Sequence, residues 1–77
     1  MNYLSKDGTL MIWKENRIIK NDDIPNSVTK IRFGYYFNQP KECICVPESV
    51  QTIYYQNVCY KKGTEEFDNK FTVYHIM

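Results

Sequence analysis

Ile24-Pro25-Asn26-Ser27-Val28 is echoed by Val46-Pro47-Glu48-Ser49-Val50 at an offset of 22 residues. A chain that repeats itself on such a period is constrained by the repeat before anything else. The correspondence continues downstream. Thr29-Lys30-Ile31-Arg32-Phe33 falls on Gln51-Thr52-Ile53-Tyr54-Tyr55, which keeps apolar or aromatic groups at the first, fourth and sixth places counted from Val28 and Val50. Phe37 falls on Cys59, a small apolar substitute expected in the core. A truncated third copy is expected from Phe71, where Val73 and Ile76 repeat the Val50 and Ile53 spacing at an offset of 23.

The spacing has a physical meaning. Proline fixes φ and lacks an N–H, so Ile24-Pro25 and Val46-Pro47 read as extended segments that cannot sit inside a helix. Asn26-Ser27 and Glu48-Ser49 supply turn-forming side chains. Short strands then follow at residues 28–33, ended by Gly34, and at residues 50–55. If each strand pairs with the same strand of the next copy, apolar side chains line up in inward columns: Val28/Val50/Val73, Ile31/Ile53/Ile76 and Phe33/Tyr55. One copy cannot bury such a face alone. Further upstream, Leu10-Met11-Ile12-Trp13 reads as a strand, Lys14-Glu15-Asn16-Arg17 as a polar turn and Ile18-Ile19 as a return. This hairpin, or degenerate first copy, would cover the open end.

Composition supports strands. Aromatic residues reach 16% of the chain, alanine is absent, and leucine occurs only at Leu4 and Leu10, which does not suit a helical bundle. The net charge of +1 comes from ten basic residues spread among nine acidic ones, without the cationic cluster that neutralising nucleic-acid phosphates requires. No apolar run approaches membrane-spanning length, and an odd three cysteines do not make a secreted disulfide framework. No membrane association is therefore expected. The expected setting is reducing and intracellular, namely cytoplasmic.

Three constellations carry residue types that could do chemistry. Cys43, Cys45, Cys59 and His75 provide ligand types for a Cys₃His zinc site, but Cys-x-Cys is not the usual Cys-x₂-Cys spacing. Buried free thiols explain these cysteines better. The sole histidine, His75, lies beside the C-terminus, while Ser27 and Ser49 are repeated turn residues; neither forms a nucleophile with an orienting shell. Asp22-Asp23 and Glu65-Glu66 read as solvated turns. No catalytic residue, metal or cofactor is expected. Among the aromatic residues, alternation places Phe33, Phe37 and Tyr55 inside and leaves Tyr35 and Tyr54 exposed.

Ile24-Pro25-Asn26-Ser27-Val28-Thr29, then Phe33-Gly34, then Phe37-Asn38-Gln39-Pro40, resembles the FNIP repeat, a 22-residue unit related to leucine-rich repeats. The second copy keeps Val46-Pro47-Glu48-Ser49-Val50 but has Gln56, Cys59 and Tyr60 where the family pattern has Gly, Phe and Asn. The resemblance covers residues 24 to about 63. Such repeats resemble those of slime-mould and giant-virus proteins, where they form solenoids and often follow an F-box; for a viral member the setting would be the host cytoplasm. The resemblance implies protein recognition and nothing catalytic. Residues 1–23 are too short for an F-box.

The expected fold is mainly β: a short leucine-rich-repeat-like solenoid of two to three stacked coils. Its divisions are an N-terminal cap over residues 1–23, repeats over 24–45 and 46–67, and a truncated strand over 68–77. The expected function is a non-enzymatic protein–protein interaction module for a protein partner. Its contact rows are Lys30, Thr52 and His75 in one, and Arg32, Tyr54 and Met77 in the other. The rival expectation is a self-associating or orphaned structural fragment of a longer repeat protein.

Overall fold

The computed structural model describes residues 2–20 and 23–74. The first strand, β1 (Tyr3–Leu4), runs antiparallel to β2 (Leu10–Trp13), with Tyr3 opposite Ile12 and Leu4 opposite Met11. The turn between them is organised by Asp7, whose Oδ1 accepts from the Thr9 amide at 3.1 Å and from the Ser5 and Thr9 hydroxyls at 2.8 Å. β2 is parallel to β3 (Lys30–Phe33), Leu10 opposite Lys30 and Trp13 opposite Phe33. A 3₁₀ turn at Lys41–Cys43 leads into β4 (Cys45–Pro47). β5 (Thr52–Tyr55) is parallel to β3, with Lys30 opposite Thr52, Ile31 opposite Ile53 and Arg32 opposite Tyr54. That register is the 22-residue offset of the sequence made physical.

The repeated motif works identically in both copies. The Val28 amide donates to the Pro25 carbonyl and the Val50 amide to the Pro47 carbonyl, each at 3.1 Å, closing the same tight turn. The Ser27 hydroxyl then donates to the Gly8 carbonyl at 2.7 Å, and Ser49 to the Val28 carbonyl at 2.8 Å. The turn is thus tied to the segment leading into the preceding strand.

Beyond Tyr55 the chain departs from a stacked repeat. Gln56 (φ 51°) and Asn57 (φ 65°) both occupy the left-handed region and reverse the chain into β6 (Val58–Lys61), antiparallel to β5. β6 therefore takes the hydrogen-bonding edge that a third parallel copy would need. The helix α1 (Glu65–Lys70) follows, and then β7 (Thr72–Tyr74), which pairs in parallel with β4. Among the described residues the result is a mixed five-stranded sheet, β1-β2-β3-β5-β6, and a separate two-stranded sheet, β4-β7.

The expected leucine-rich-repeat-like solenoid is therefore overturned: the large sheet mixes parallel and antiparallel pairing, and the sheets neither curl nor close. The Cα radius of gyration, 11.2 Å, fits a globule of this length, for which about 11.5 Å is usual. Val73 lies opposite Val46 rather than stacking on Val50, and Ile76 lies outside the described residues. Cys59 is exposed on β6 instead of filling the Phe37 position of a second copy. Tyr60 turns inward in its place, its ring 5.3 Å from that of Phe71. Residues 10–13 do not pair with 18–19. Ile18 is exposed, while Ile19 is buried and bridges Ile44 in parallel.

The helix α1 stands where the sequence suggests a solvated turn. Thr64 caps it, its Oγ1 accepting from the Phe67 amide at 3.3 Å, and Glu65 and Glu66 sit exposed in its first turn, not in a loop. Acids at the N-terminal end and Lys70 at the C-terminal end both suit the helix dipole. Phe67, fully buried, anchors the helix to the core.

Met11, Trp13, Ile31, Phe33, Ile53 and Tyr55 supply the inner face of the large sheet. They pack against the apolar residues of the turns and of β4, including Val28, Val50 and Val46. An aromatic cluster closes the far side. Phe33 stacks on Phe37 at 4.2 Å, and Phe71 meets Tyr55 at 5.9 Å and Phe67 at 5.2 Å.

A candidate interaction face on the large sheet

Strand alternation commits one face of the sheet to the core and leaves the other outward. Register then places the outward residues in two rows. The first runs Leu10, Lys30, Thr52, Lys61 across β2, β3, β5 and β6; the second runs Ile12, Arg32, Tyr54, Cys59, with Tyr3 beside Ile12. Lys30, Arg32 and Lys61 are exposed, and Leu10, Ile12, Thr52 and Tyr54 are half-buried.

Tyr54 links the cations. The Lys30 Nζ and the Arg32 Cζ each lie 5.9 Å from its ring centroid, within cation–π range. No Asp or Glu stands at any of these outward positions. Among the described residues, ion pairs join Arg17 to Glu15 at 3.0 Å and to Asp23 at 3.1 Å, both away from the outward rows.

At the C-terminal ends of β3 and β5 the face runs into a cleft of about 450 Å³, bounded by Phe33, Gly34, Tyr35, Gln56 and Asn57. A neighbouring hollow of about 280 Å³ joins Arg32 and Tyr54 to the same Gln56-Asn57 turn. Gly34 lies close to the preceding strand: its amide donates to the Trp13 carbonyl at 2.8 Å, and a Cβ there would meet the Lys14 Cα at 3.2 Å. Tyr35 and Tyr36 project beyond it, 87% and 82% exposed, their rings edge to face at 5.4 Å.

Of the residues expected in the contact rows, the structure brings Lys30, Arg32, Thr52 and Tyr54 together, with Tyr54 half-buried rather than freely exposed. His75 and Met77 lie outside the described residues. Leu10, Ile12 and Lys61 were missed. The alternation of Leu10-Met11-Ile12-Trp13 is visible in the sequence, but its parallel pairing with β3 runs at an offset of 20, which a 22-residue period does not reveal.

Two carboxyls away from this face are held below the usual carboxylate range. Asp7 is lowered chiefly by the Thr9 amide, with the Ser5 and Thr9 hydroxyls assisting. Asp23 is lowered first by the Lys20 amide and then by Arg17. Cys43 and Cys45 are half-buried free thiols and Cys59 is an exposed one. Among the described residues, no group of three or more His, Cys, Asp or Glu is arranged to hold a metal ion, and no helix is long and apolar enough to cross a membrane.

Comparison with known families finds the FNIP Repeat, matched over residues 16–54. The span opens earlier than the sequence motif suggests, at Asn16, whose Oδ1 accepts from the Asn38 amide at 3.0 Å and from Gln39 Nε2 at 2.8 Å. It closes at Tyr54, just before the Gln56-Asn57 reversal that ends the repeated geometry. Comparisons with curated proteins and with solved structures found no match. Through residues 16–54, half of its length, the chain belongs to the FNIP repeat family.

Proposed function

We propose that this chain is a non-enzymatic protein–protein interaction module, and that the outward face of the large sheet is its contact surface. One observation carries this reading: the inner side chains of β2, β3 and β5 are committed to the core, whereas Lys30, Arg32, Thr52 and Tyr54 are held in register on the opposite side. A sheet fixes such groups more rigidly than loops do, so a partner meets them at little ordering cost. The segments 24–45 and 46–67 are proposed as the two units contributing these rows.

Affinity capture from the native cell's lysate tests it. The unaltered chain is expected to retain a reproducible partner that Lys30→Glu/Arg32→Glu loses while keeping its thermal midpoint. A partner retained equally by both chains removes the face from the account.

Self-association is the second reading, favoured by the outer edge of β6, which is unpaired among the described residues and carries Val58 at 48% exposure. Light scattering that rises in apparent mass with concentration supports it, and a constant monomer mass excludes it.

A further inference from the structure

We propose, resting on the reading above, that the partner recognised by this face is an acidic protein segment that also carries apolar side chains. The charge distribution is the first support. The chain as a whole has a net charge of only +1, yet the outward sheet positions hold Lys30, Arg32 and Lys61 with no acid among them. Among the described residues the acids lie elsewhere: Glu65, Glu66 and Asp68 on α1, Glu15 and Asp23 around Arg17, and Asp7, Glu42 and Glu48 in turns. Segregation of this kind favours an oppositely charged partner and disfavours a like-charged one.

The second support is what lies beside the cations. Leu10 and Ile12, both half-buried, flank Lys30 and Arg32 on the neighbouring strand, about 4.8 Å away across a sheet. A segment crossing the strands therefore meets an apolar group, then a cation, then Thr52 or Tyr54 within one short stretch. Carboxylates satisfy the cations, and apolar side chains cover Leu10 and Ile12. Nucleic acid would satisfy only the first. Single-stranded platforms rely on successive stacking aromatics, and on the central strands this face offers Tyr54 alone.

Fluorescence anisotropy tests the assignment, using the full chain and three labelled probes. These are a short peptide repeating Glu-Leu-Asp-Ser, its counterpart with Lys for both acids, and an oligouridine of equal length. The acidic peptide is expected to bind, to weaken as salt is raised, and to weaken on the order of tenfold with Lys30→Glu/Arg32→Glu; the basic peptide should not bind. Lys61→Glu, at an exposed position, should weaken it by a smaller factor. Absence of acidic-peptide binding, indifference to the reversals, or tighter binding of oligouridine overturns the assignment. Lysate capture with the same double variant separates the two levels. Capture lost while the acidic peptide fails to bind removes only the acidic assignment, whereas capture unchanged removes the interaction face as well.

Discussion

The Ser49 hydroxyl donates to the Val28 carbonyl at 2.8 Å, and 22 residues earlier Ser27 makes the equivalent bond to Gly8 at 2.7 Å. The repeated serine is therefore a strut between neighbouring strands. Ser49 is half-buried, so removing its hydroxyl leaves the carbonyl poorly served. Ser49→Ala is expected to cost about 1 kcal/mol, and Ser27→Ala, at an exposed position, less. Urea unfolding of the two variants checks the order.

The reversal at Gln56 and Asn57 places two non-glycine residues in the left-handed region. Such two-residue hairpins favour Asn-Gly. Gln56→Asn/Asn57→Gly is expected to stabilise the chain by about 1 kcal/mol, raising the thermal midpoint by several degrees. A lowered midpoint would show that Gln56 and Asn57 carry no strain in this turn that glycine relieves.

Phe71 joins the aromatic cluster of the large sheet to the start of β7, touching Phe67, Tyr60 and Tyr55. Phe71→Ala is expected to cost about 3–5 kcal/mol. A chain of this length has a total stability of roughly 4–12 kcal/mol, so the variant should lose a large share of it and unfold at a much lower urea concentration. Circular dichroism in a urea series measures the loss.

Asp23 Oδ2 accepts from the Lys20 amide at 2.8 Å and from Arg17 Nη1 at 3.1 Å, and its folded pKa is lowered. A carboxyl of this kind contributes stability above its unfolded pKa, about 3.9, and that contribution is lost as pH falls through the folded value. Stability of the unaltered chain should therefore fall on acidification below about pH 4. Asp23→Asn should flatten that limb, as seen in urea midpoints taken across it. Asp7 acts in the same direction and will leave a residual slope.

How far the fold could be read in advance depended on which residues obeyed the repeat. Ile24-Pro25 and Val46-Pro47 announced their turns, and Ile31 does lie opposite Ile53 as the offset requires. Phe33, Phe37 and Tyr55 are buried as alternation predicts. The solenoid failed at Gln56-Asn57, where both residues enter the left-handed region and reverse the chain. Asn57 in the left-handed region is a conformational choice that side-chain patterning does not encode strongly. The short helix capped by Thr64 was hidden because six residues show less than two turns of periodicity. On the outward face, Lys30, Arg32, Thr52 and Tyr54 were legible from the 22-residue period, whereas Leu10 and Ile12 join at an offset of 20 and Lys61 by antiparallel pairing.

Side-chain NMR with the captured partner shows whether the outward face of the sheet is the contact surface. Ile12 points outward, while Ile31 and Ile53 on neighbouring strands point into the core. The methyls of Ile12 and Leu10 and the ring of Tyr54 are expected to shift on binding, with Ile31 and Ile53 unmoved. Shifts confined to α1 or to the β4-β7 sheet, with Ile12 and Tyr54 unchanged, would place the contact surface elsewhere.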